Sequence, residues 1–322
     1  MNKRPNFLVI ARSTVEELYT MRDAVESQER AFRALGRGDA KVLPIIHSDV
    51  RPHSGHLEIK PGVVLNPAVY GLKLISVYPK NEGLRIPPMQ AVILINDAKT
   101  GVPLAITDGA YITNLRTAAA GAVGARYLAR RNSRSVGVIG TGVQGRMQAI
   151  ALKEVLNFQS LKAWSPRAAS RKRYALEMEN ALGIPVSAVD SAREATRGVD
   201  ILVTATPATA PIVKRDWVDD GLHINSIGAD RRGKRELEPE IYDHAKIFTD
   251  CREVAIEKGL FRSGQVFAEL GEVVAGVMKG RESDEEITIF DSSGVGVQDV
   301  FAAEMVYRRA RAKKMGYEIR LS

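Results

Sequence analysis

The stretch SVGVIGTGVQG, Ser135 to Gly145, decides how the rest of the chain is read. A short apolar run, Val136–Ile139, leads into Gly140, Gly142 and Gly145, and the helical segment MQAIALKEVL follows. G-x-G-x-x-G between a strand and a helix is the pattern of a dinucleotide-binding turn. Gly140 makes the tight turn, Gly142 lets the backbone approach a pyrophosphate, and Gly145 lets helix and strand pack. Val143 and Gln144 open the helix, whose N-terminus faces the phosphate charge. The spacing alone also fits an ordinary glycine-rich turn; the strand before it and the helix after it favour binding.

Downstream, SVGVIG, SLKAWS, PVSAV, DILVTATP, LHINSIGA and AKIFTD are short apolar strands separated by helical stretches, and EITIFDSSG adds a later one. That alternation predicts a doubly wound parallel sheet of Rossmann type. Residues 1–115 read differently. STVEEL (13–18) places Ser13 and Glu16 at capping-box spacing and predicts a helical stretch to about Leu35, stopped by GRGD. HLEIKPGVV, AVYGLKLISVYP, MQAVILIND and GVPLAITDG then read as an antiparallel sheet, the last two joined by a hairpin at AKTG. VQDVFAAEMVYRRARAKK predicts a long amphipathic helix returning to the N-terminal part. The fold class is α/β: a Rossmann-type domain over 117–299 beside an α+β domain built from 1–116 with 300–322. TAAAGAVGARYLARR (117–131) links the two with residues small enough for close helix packing.

A chain of 322 residues exceeds one compact core, which agrees with two domains. Apolar content of 45% with 26% charged residues is that of an ordinary globular protein, and no apolar run reaches the length of a membrane span. The apolar run in MNKRPNFLVI is too short for a secretory leader and reads as the first strand. Cys251 is the only cysteine, which excludes an internal disulfide and a cysteine metal cluster and predicts a reducing, cytoplasmic setting. A buried structural thiol is the plainer reading of Cys251 than a nucleophile. The net charge of +8 gathers partly in RAASRKR (167–173) and YRRARAKK (307–314), with no nucleic-acid-binding motif. Neither nucleic acid, membrane nor metal is an expected partner.

The end of the second parallel strand bears on the cofactor. A NAD site usually carries Asp or Glu there, for the ribose 2′-hydroxyl. Here LKAWSPRAASRKR has no acid between Leu161 and Arg173, and Ser165, Arg167 and Arg171 stand where a 2′-phosphate would lie. A guanidinium binds that phosphate bidentately and a carboxylate repels it. The pattern favours NADP(H), with NAD(H) possible; the competing reading is a solvated helix start.

Three groups elsewhere stand out. Lys73, in YGLKLISVYPKN, lies on an otherwise apolar strand, where an ammonium is costly to bury unless an anion pairs with it. Arg116, in DGAYITNLRTAAAG, sits at the start of a small-residue helix. Together the two could fork a carboxylate; singly each reads as a structural ion pair. Asp230, in INSIGADRRGKREL, follows a parallel strand at the edge where open α/β sheets bind ligands. It is equally placed to exchange a proton with a substrate nitrogen or water and to serve as a turn aspartate.

Nearly the whole chain resembles the ornithine cyclodeaminase/μ-crystallin family, which includes archaeal-type alanine dehydrogenases and ketimine reductases. The resemblance rests on GLKLISVYPKN, TDGAYITNLRTAAAGAVGARYLAR, VIGTGVQG, INSIGADRRGKREL and GRESDEEITIFDSSGVGVQDV. It implies a homodimer whose N-terminal domain, with the returning C-terminal helix, builds the dimer interface and the substrate pocket. It implies Lys73 and Arg116 as ligands of a substrate carboxylate, and Asp230 with Lys73 as the catalytic pair. It places Thr206, Lys234 and Ser292 in segments that touch the cofactor or close the site. A further basic carboxylate ligand common in the family falls near LPIIHSDVRPHSG; His47 and Arg51 are the nearest candidates. Glu58 matches a glutamate of the cyclodeaminases, where it would hold a distal ammonium; a surface strand residue is the other reading.

The first functional expectation is therefore an NADP(H)-dependent reductase or dehydrogenase. It would transfer hydride to C2 of a cyclic ketimine or 2-oxo-acid-derived imine, giving an L-amino acid. The alternatives are an ornithine cyclodeaminase with recycled NAD, and a protein that binds NADPH and a small ligand without turnover.

Overall fold

A computed structural model describes residues 6–321. The chain forms two compact units: one up to Arg116 together with the chain from Val295 onward, the other Thr117–Gly294.

The first unit holds strands β1 (Phe7–Ile10), β2 (Ala40–Val42), β3 (Ile46–Val50), β4 (Gly55–Val64), β5 (Val69–Val77), β6 (Met89–Asp97) and β7 (Pro103–Asp108). β4 to β7 form the expected antiparallel meander. The turn at Lys99 and Thr100 is set by Asp97 Oδ1, which accepts from both backbone amides at 2.9 and 2.8 Å. The sheet is not wholly antiparallel: β1 joins β7 in parallel, and a final strand, Tyr317–Ile319, pairs outside β1.

The helical stretch expected over 13–35 is two helices, Arg12–Leu18 and Met21–Gly36. Ser13 and Glu16 do not form a capping box. Ala11 occupies the N-cap, and Glu16 pairs with Arg12 at 2.8 Å. The box forms at the second helix, where Thr20 N donates to Asp23 Oδ2 at 2.9 Å and Thr20 Oγ1 accepts from Asp23 N at 3.3 Å. The break is held by Tyr19, fully buried and hydrogen-bonded to Ser27 at 2.7 Å.

Strand register sorts the side chains of this sheet into two faces. Lys60, Lys73, Ile93 and Thr107 lie directly opposite one another across β4 to β7. All four are buried. One residue along, Ile46, Ile59, Leu74 and Val92 form the corresponding row on the other face. Ile46, Leu74 and Val92 are exposed there. The C-terminal helix, Gly296–Lys313, packs against β4, β5 and the helix Met21–Gly36. Its first turn touches β4 backbone to backbone. A Cβ on Gly62 would lie 2.6 Å from Val297 N, and one on Gly296 would lie 2.4 Å from Pro61 O. Only glycine permits that approach, and it carries Asp299 onto the inward row.

The second unit is the predicted doubly wound sheet. Strands β8 (Ser135–Ile139), β9 (Ser160–Trp164), β10 (Val186–Ala188), β11 (Ile201–Thr204), β12 (His223–Ser226), β13 (Ala245–Thr249), β14 (Val266–Glu269) and β15 (Ile287–Asp291) run in the order β10-β9-β8-β11-β12-β15-β13-β14. Every pairing is parallel. Alternate residues feed two apolar clusters: Leu202, Ile224 and Ile289 in one, Val136, Val138 and Val203 in the other. A parallel sheet buried on both faces follows. Within this unit, residues 117–128 of the helix Ala110–Leu128 pack closely through small residues: a Cβ on Gly121 would meet Gln148 Oε1 at 2.2 Å, and one on Gly124 would meet Phe290 at 2.8 Å.

Candidate active site

The first unit assembles a buried charge cluster on its inward face. Lys73 Nζ donates to Asp299 Oδ1 at 2.8 Å, and Arg116 Nε donates to the same oxygen at 2.9 Å. Arg116 Nη1 donates to Gln298 Oε1 at 3.3 Å. The Lys73 and Asp299 side chains are wholly buried and that of Arg116 is 5% exposed. Arg116 lies in the second turn of its helix, not at its start. That turn points the guanidinium at the C-terminal helix.

The neighbours matter electrostatically. Lys60 stands directly opposite Lys73, and Glu58 Oε2 lies 3.1 Å from Lys60 Nζ. Three cations thus face two carboxylates. Burial is the largest pull on Lys73 and lowers it; the Arg116 charge adds to that and Asp299 opposes it, leaving the ammonium at about 7. Burial works to raise Asp299, but Arg116 and Lys73 outweigh it and hold the carboxyl below its ordinary range. Burial likewise works to raise Glu58, yet Lys60 pulls it down. His47, opposite Glu58 in the register, has Nδ1 3.4 Å from Glu58 Oε1. Arg51 lies in an exposed turn.

In the second unit the glycines of the dinucleotide turn have three distinct environments. Gly140 has φ 108°, and a Cβ there would sit 2.4 Å from Ala205 O. A Cβ on Gly145 would sit 1.9 Å from Gly140 O. A Cβ on Gly142 would meet no atom within 4 Å. The first two glycines are therefore required by the turn itself, whereas the third borders open space beside the helix N-terminus. Val143, first residue of the helix Val143–Val155, is 56% exposed, and Gln144 is half-buried beside it. This cradle fits a dinucleotide pyrophosphate.

The end of β9 is tied to that turn: Ser165 Oγ and Thr141 Oγ1 are 2.9 Å apart. Arg171 donates from Nη1 to Ser165 O at 3.3 Å and from Nη2 to Asp190 Oδ1 at 2.6 Å. Arg167 is exposed at the N-cap of the helix Ala168–Leu182. The fold thus brings an acid, Asp190, to a place where the local sequence has none. Its carboxylate is paired with Arg171 and its side chain is 88% exposed.

Beyond β11 and β12, the buried Glu236 fastens two loops. It accepts from Thr204 Oγ1 (2.8 Å), Thr206 N (2.7 Å), Thr206 Oγ1 (2.8 Å) and Gly228 N (2.9 Å). Burial raises its carboxyl despite these donors. Thr206 is therefore a loop anchor through Oγ1, whatever else it meets. Asp230 follows the C-terminal end of β12, half in solvent, with Lys234 Nζ 2.7 Å from its Oδ1. Ser292 is buried and its amide donates to Ser226 O at 3.1 Å.

Asp299 is the central site residue among those that sequence reasoning missed. Its one local signal is an acid that, with Gln298, interrupts the apolar run GVQDVFAA, where an amphipathic reading treats it as surface charge. Lys60 was missed because strand register sets it opposite Lys73, and Asp190 and Glu236 because the fold brings each to partners distant along the chain.

A parallel dinucleotide fold joined to an α+β unit with a buried, cation-rich cluster defines the class. The chain belongs to the ornithine cyclodeaminase/mu-crystallin family, whose model matches residues 6–314. It is similar to the alanine dehydrogenase of Archaeoglobus fulgidus, with 41% identity over 97% of this chain and 98% of that protein. The structure of Thermococcus litoralis Δ1-pyrroline-2-carboxylate reductase in complex with NADH and L-proline superposes with TM-score 0.91 at 39% identity, covering 97% of this chain and all of that one. An archaeal alanine dehydrogenase dimer with bound NAD gives TM-score 0.92 at 40% identity, over 98% of this chain and 100% of that one.

Proposed function

We propose that this protein is a nicotinamide-dependent reductase acting on an imine that bears an α-carboxylate, either a cyclic ketimine or the imine of a 2-oxo acid. The product is an L-amino acid. The observation that carries the reading is the buried pair Lys73 and Arg116, which share one oxygen of one carboxylate and so keep a surplus of positive charge. Relatives named for reduction of a cyclic imino acid and for alanine oxidation support the same substrate class.

When bound, the dinucleotide supplies the hydride. The residues of the chain do the rest. Lys73 and Arg116 hold the carboxylate, which fixes the adjacent C2 carbon for attack. Asp230, its Oδ1 2.7 Å from Lys234 Nζ, delivers the proton that the imine nitrogen takes up or holds the water that does. Glu236 fixes the Thr206 and Gly228 loops, and with them the edge of the sheet from which Asp230 projects. The ornithine cyclodeaminase alternative asks Glu58 to take a substrate ammonium, but Lys60 already engages that carboxylate. Initial rates test the reading directly: NADPH and NADH crossed with cyclic ketimines, pyruvate plus ammonia, and 2-oxo acids plus amines. Oxidation of neither cofactor by any carboxylated imine would overturn it.

For the cofactor we favour NADP(H), on the strength of Ser165, Arg167 and Arg171 at the end of β9. Asp190 is neutralised by Arg171, so it does not present an unpaired acid to a 2′-phosphate. NAD and NADH are the ligands of the two related structures, so discrimination is expected to be modest. Arg167→Ala should weaken NADPH about tenfold, the value of one charge-assisted contact, and leave NADH within about twofold. Fluorescence titration of both cofactors reads this, and equal losses would remove Arg167 from the 2′-phosphate.

The exposed row Ile46, Leu74 and Val92 suits a second copy of the chain, and the related archaeal alanine dehydrogenase is a dimer. Leu74→Arg should give a monomer by light scattering; a dimer of undiminished affinity would place the interface elsewhere. The lone cysteine supports a cytoplasmic setting: Cys251 is buried, and burial pushes its thiol up to about 12. No helix among the described residues is long and apolar enough to cross a membrane.

A further inference from the structure

We propose that Asp299 is the positioning residue of the substrate site: through one carboxylate oxygen it holds the Lys73 ammonium and the Arg116 guanidinium side by side as a fork for a single carboxylate. The inference rests on the carboxylate-clamp reading above and goes beyond it by naming what builds the clamp.

Three observations carry it. Both cations donate to the same atom, Oδ1, at 2.8 and 2.9 Å, so their separation is set by one acceptor. The other oxygen, Oδ2, is buried with no hydrogen-bond partner among the described residues. An unpaired buried acceptor is costly, so the carboxylate is oriented toward the two cations rather than toward satisfying both of its own oxygens. Finally, the close backbone contact of Gly62 and Gly296 with their neighbours is what lets the C-terminal helix deliver this carboxylate to β5.

Lys73 is faced by charged and titratable groups on each element around it. Lys60 and Glu58 come from β4, Arg116 from the helix Ala110–Leu128 and Asp299 from the C-terminal helix; Tyr19 borders the Arg116–Asp299 pair. Lys60 and Arg116 disfavour the charged ammonium. Asp299 is the acid bonded to it. Substrate carboxylate needs Lys73 protonated, so kcat/KM should fall as pH rises through about 7, the Lys73 value in the free enzyme. Bound substrate adds an anion beside Lys73 and moves the corresponding limb of kcat to higher pH.

Asp299→Asn tests this in the full-length enzyme. The alkaline limb of kcat/KM should move down by about one pH unit or more, and KM for a carboxylated imine at neutral pH should rise about tenfold or more, with NADPH affinity within about twofold of wild type. Asp299→Glu keeps the charge and displaces the oxygen: KM should rise while the limb stays in place. A merely structural aspartate would lower thermal stability and active fraction and leave both KM and the limb of the surviving enzyme unchanged in both variants, which would overturn the proposal. The two levels of failure differ. If Lys73→Ala leaves kcat/KM intact, the clamp itself is wrong. If Lys73→Ala lowers kcat/KM as expected but Asp299→Asn and Asp299→Glu leave KM and the limb untouched, only the role of Asp299 is wrong.

Discussion

Lys73→Ala is expected to lower kcat/KM for a carboxylated imine by on the order of a hundred- to a thousandfold. Truncating one partner of a buried, hydrogen-bonded charge pair in a binding site costs about 2–5 kcal/mol of binding, and each 1.36 kcal/mol is a factor of about ten in rate. The substrate carboxylate is unchanged by the reaction, so the contact is the same in the ground and transition states. Most of the loss should therefore appear in KM. A smaller part should appear in kcat, because a carboxylate held by Arg116 alone lets C2 swing from the line of attack. NADPH binding should stay within about twofold of wild type, since Lys73 belongs to the first unit and the dinucleotide turn to the second. Steady-state kinetics with a parallel NADPH titration checks both halves. An unchanged kcat/KM would remove Lys73 from the site.

The second large effect separates two glycines three residues apart. Gly145→Ala places a Cβ where the backbone oxygen of Gly140 stands, 1.9 Å away. Backbone cannot yield as a side chain end can, so the strand–helix junction must open. We expect a loss of about 2–4 kcal/mol in stability, within the range of overpacked sites, together with loss of measurable cofactor binding. Gly142→Ala meets no atom within 4 Å and its glycine has φ −83°, an ordinary value for any residue. That variant should melt within a degree or two of wild type, as surface substitutions do. It should still bind the dinucleotide at least about tenfold more weakly, because the methyl fills the approach to the pyrophosphate. Differential scanning fluorimetry with and without NADPH distinguishes the two. If Gly142→Ala bound cofactor normally, the turn would be only a turn.

What could be read in advance follows from where the information lies. The parallel strands were legible because each is a short apolar run of its own, and the glycine pattern because its geometry is local. The first helices were misread for a local reason as well. Ser13–Glu16 and Thr20–Asp23 both have capping spacing, and burial of Tyr19 decides between them. Lys73 and Arg116 could be singled out as cations in apolar settings. Asp299 could not: it lies 226 residues from Lys73, and its partner is set by a helix that folds back onto β4 through two glycines. Glu58 looked like a candidate for a substrate ammonium until strand register placed His47 opposite it and Lys60, two residues along the same strand face, paired with its carboxylate. Asp190 shows the same limit on the cofactor side. Scanning residues 161–173 for an acid cannot see one brought in from the end of the neighbouring strand β10.

The most direct test of the account is one comparison of rates. Reduction of Δ1-pyrroline-2-carboxylate and of Δ1-pyrroline, the same ring without the carboxylate, is followed with NADPH at equal concentrations. A clamp built on Lys73 and Arg116 predicts that the carboxylated imine is reduced at least about a hundredfold more efficiently, the value of about 3 kcal/mol from two charge-assisted contacts. Equal efficiency for the two imines would contradict it.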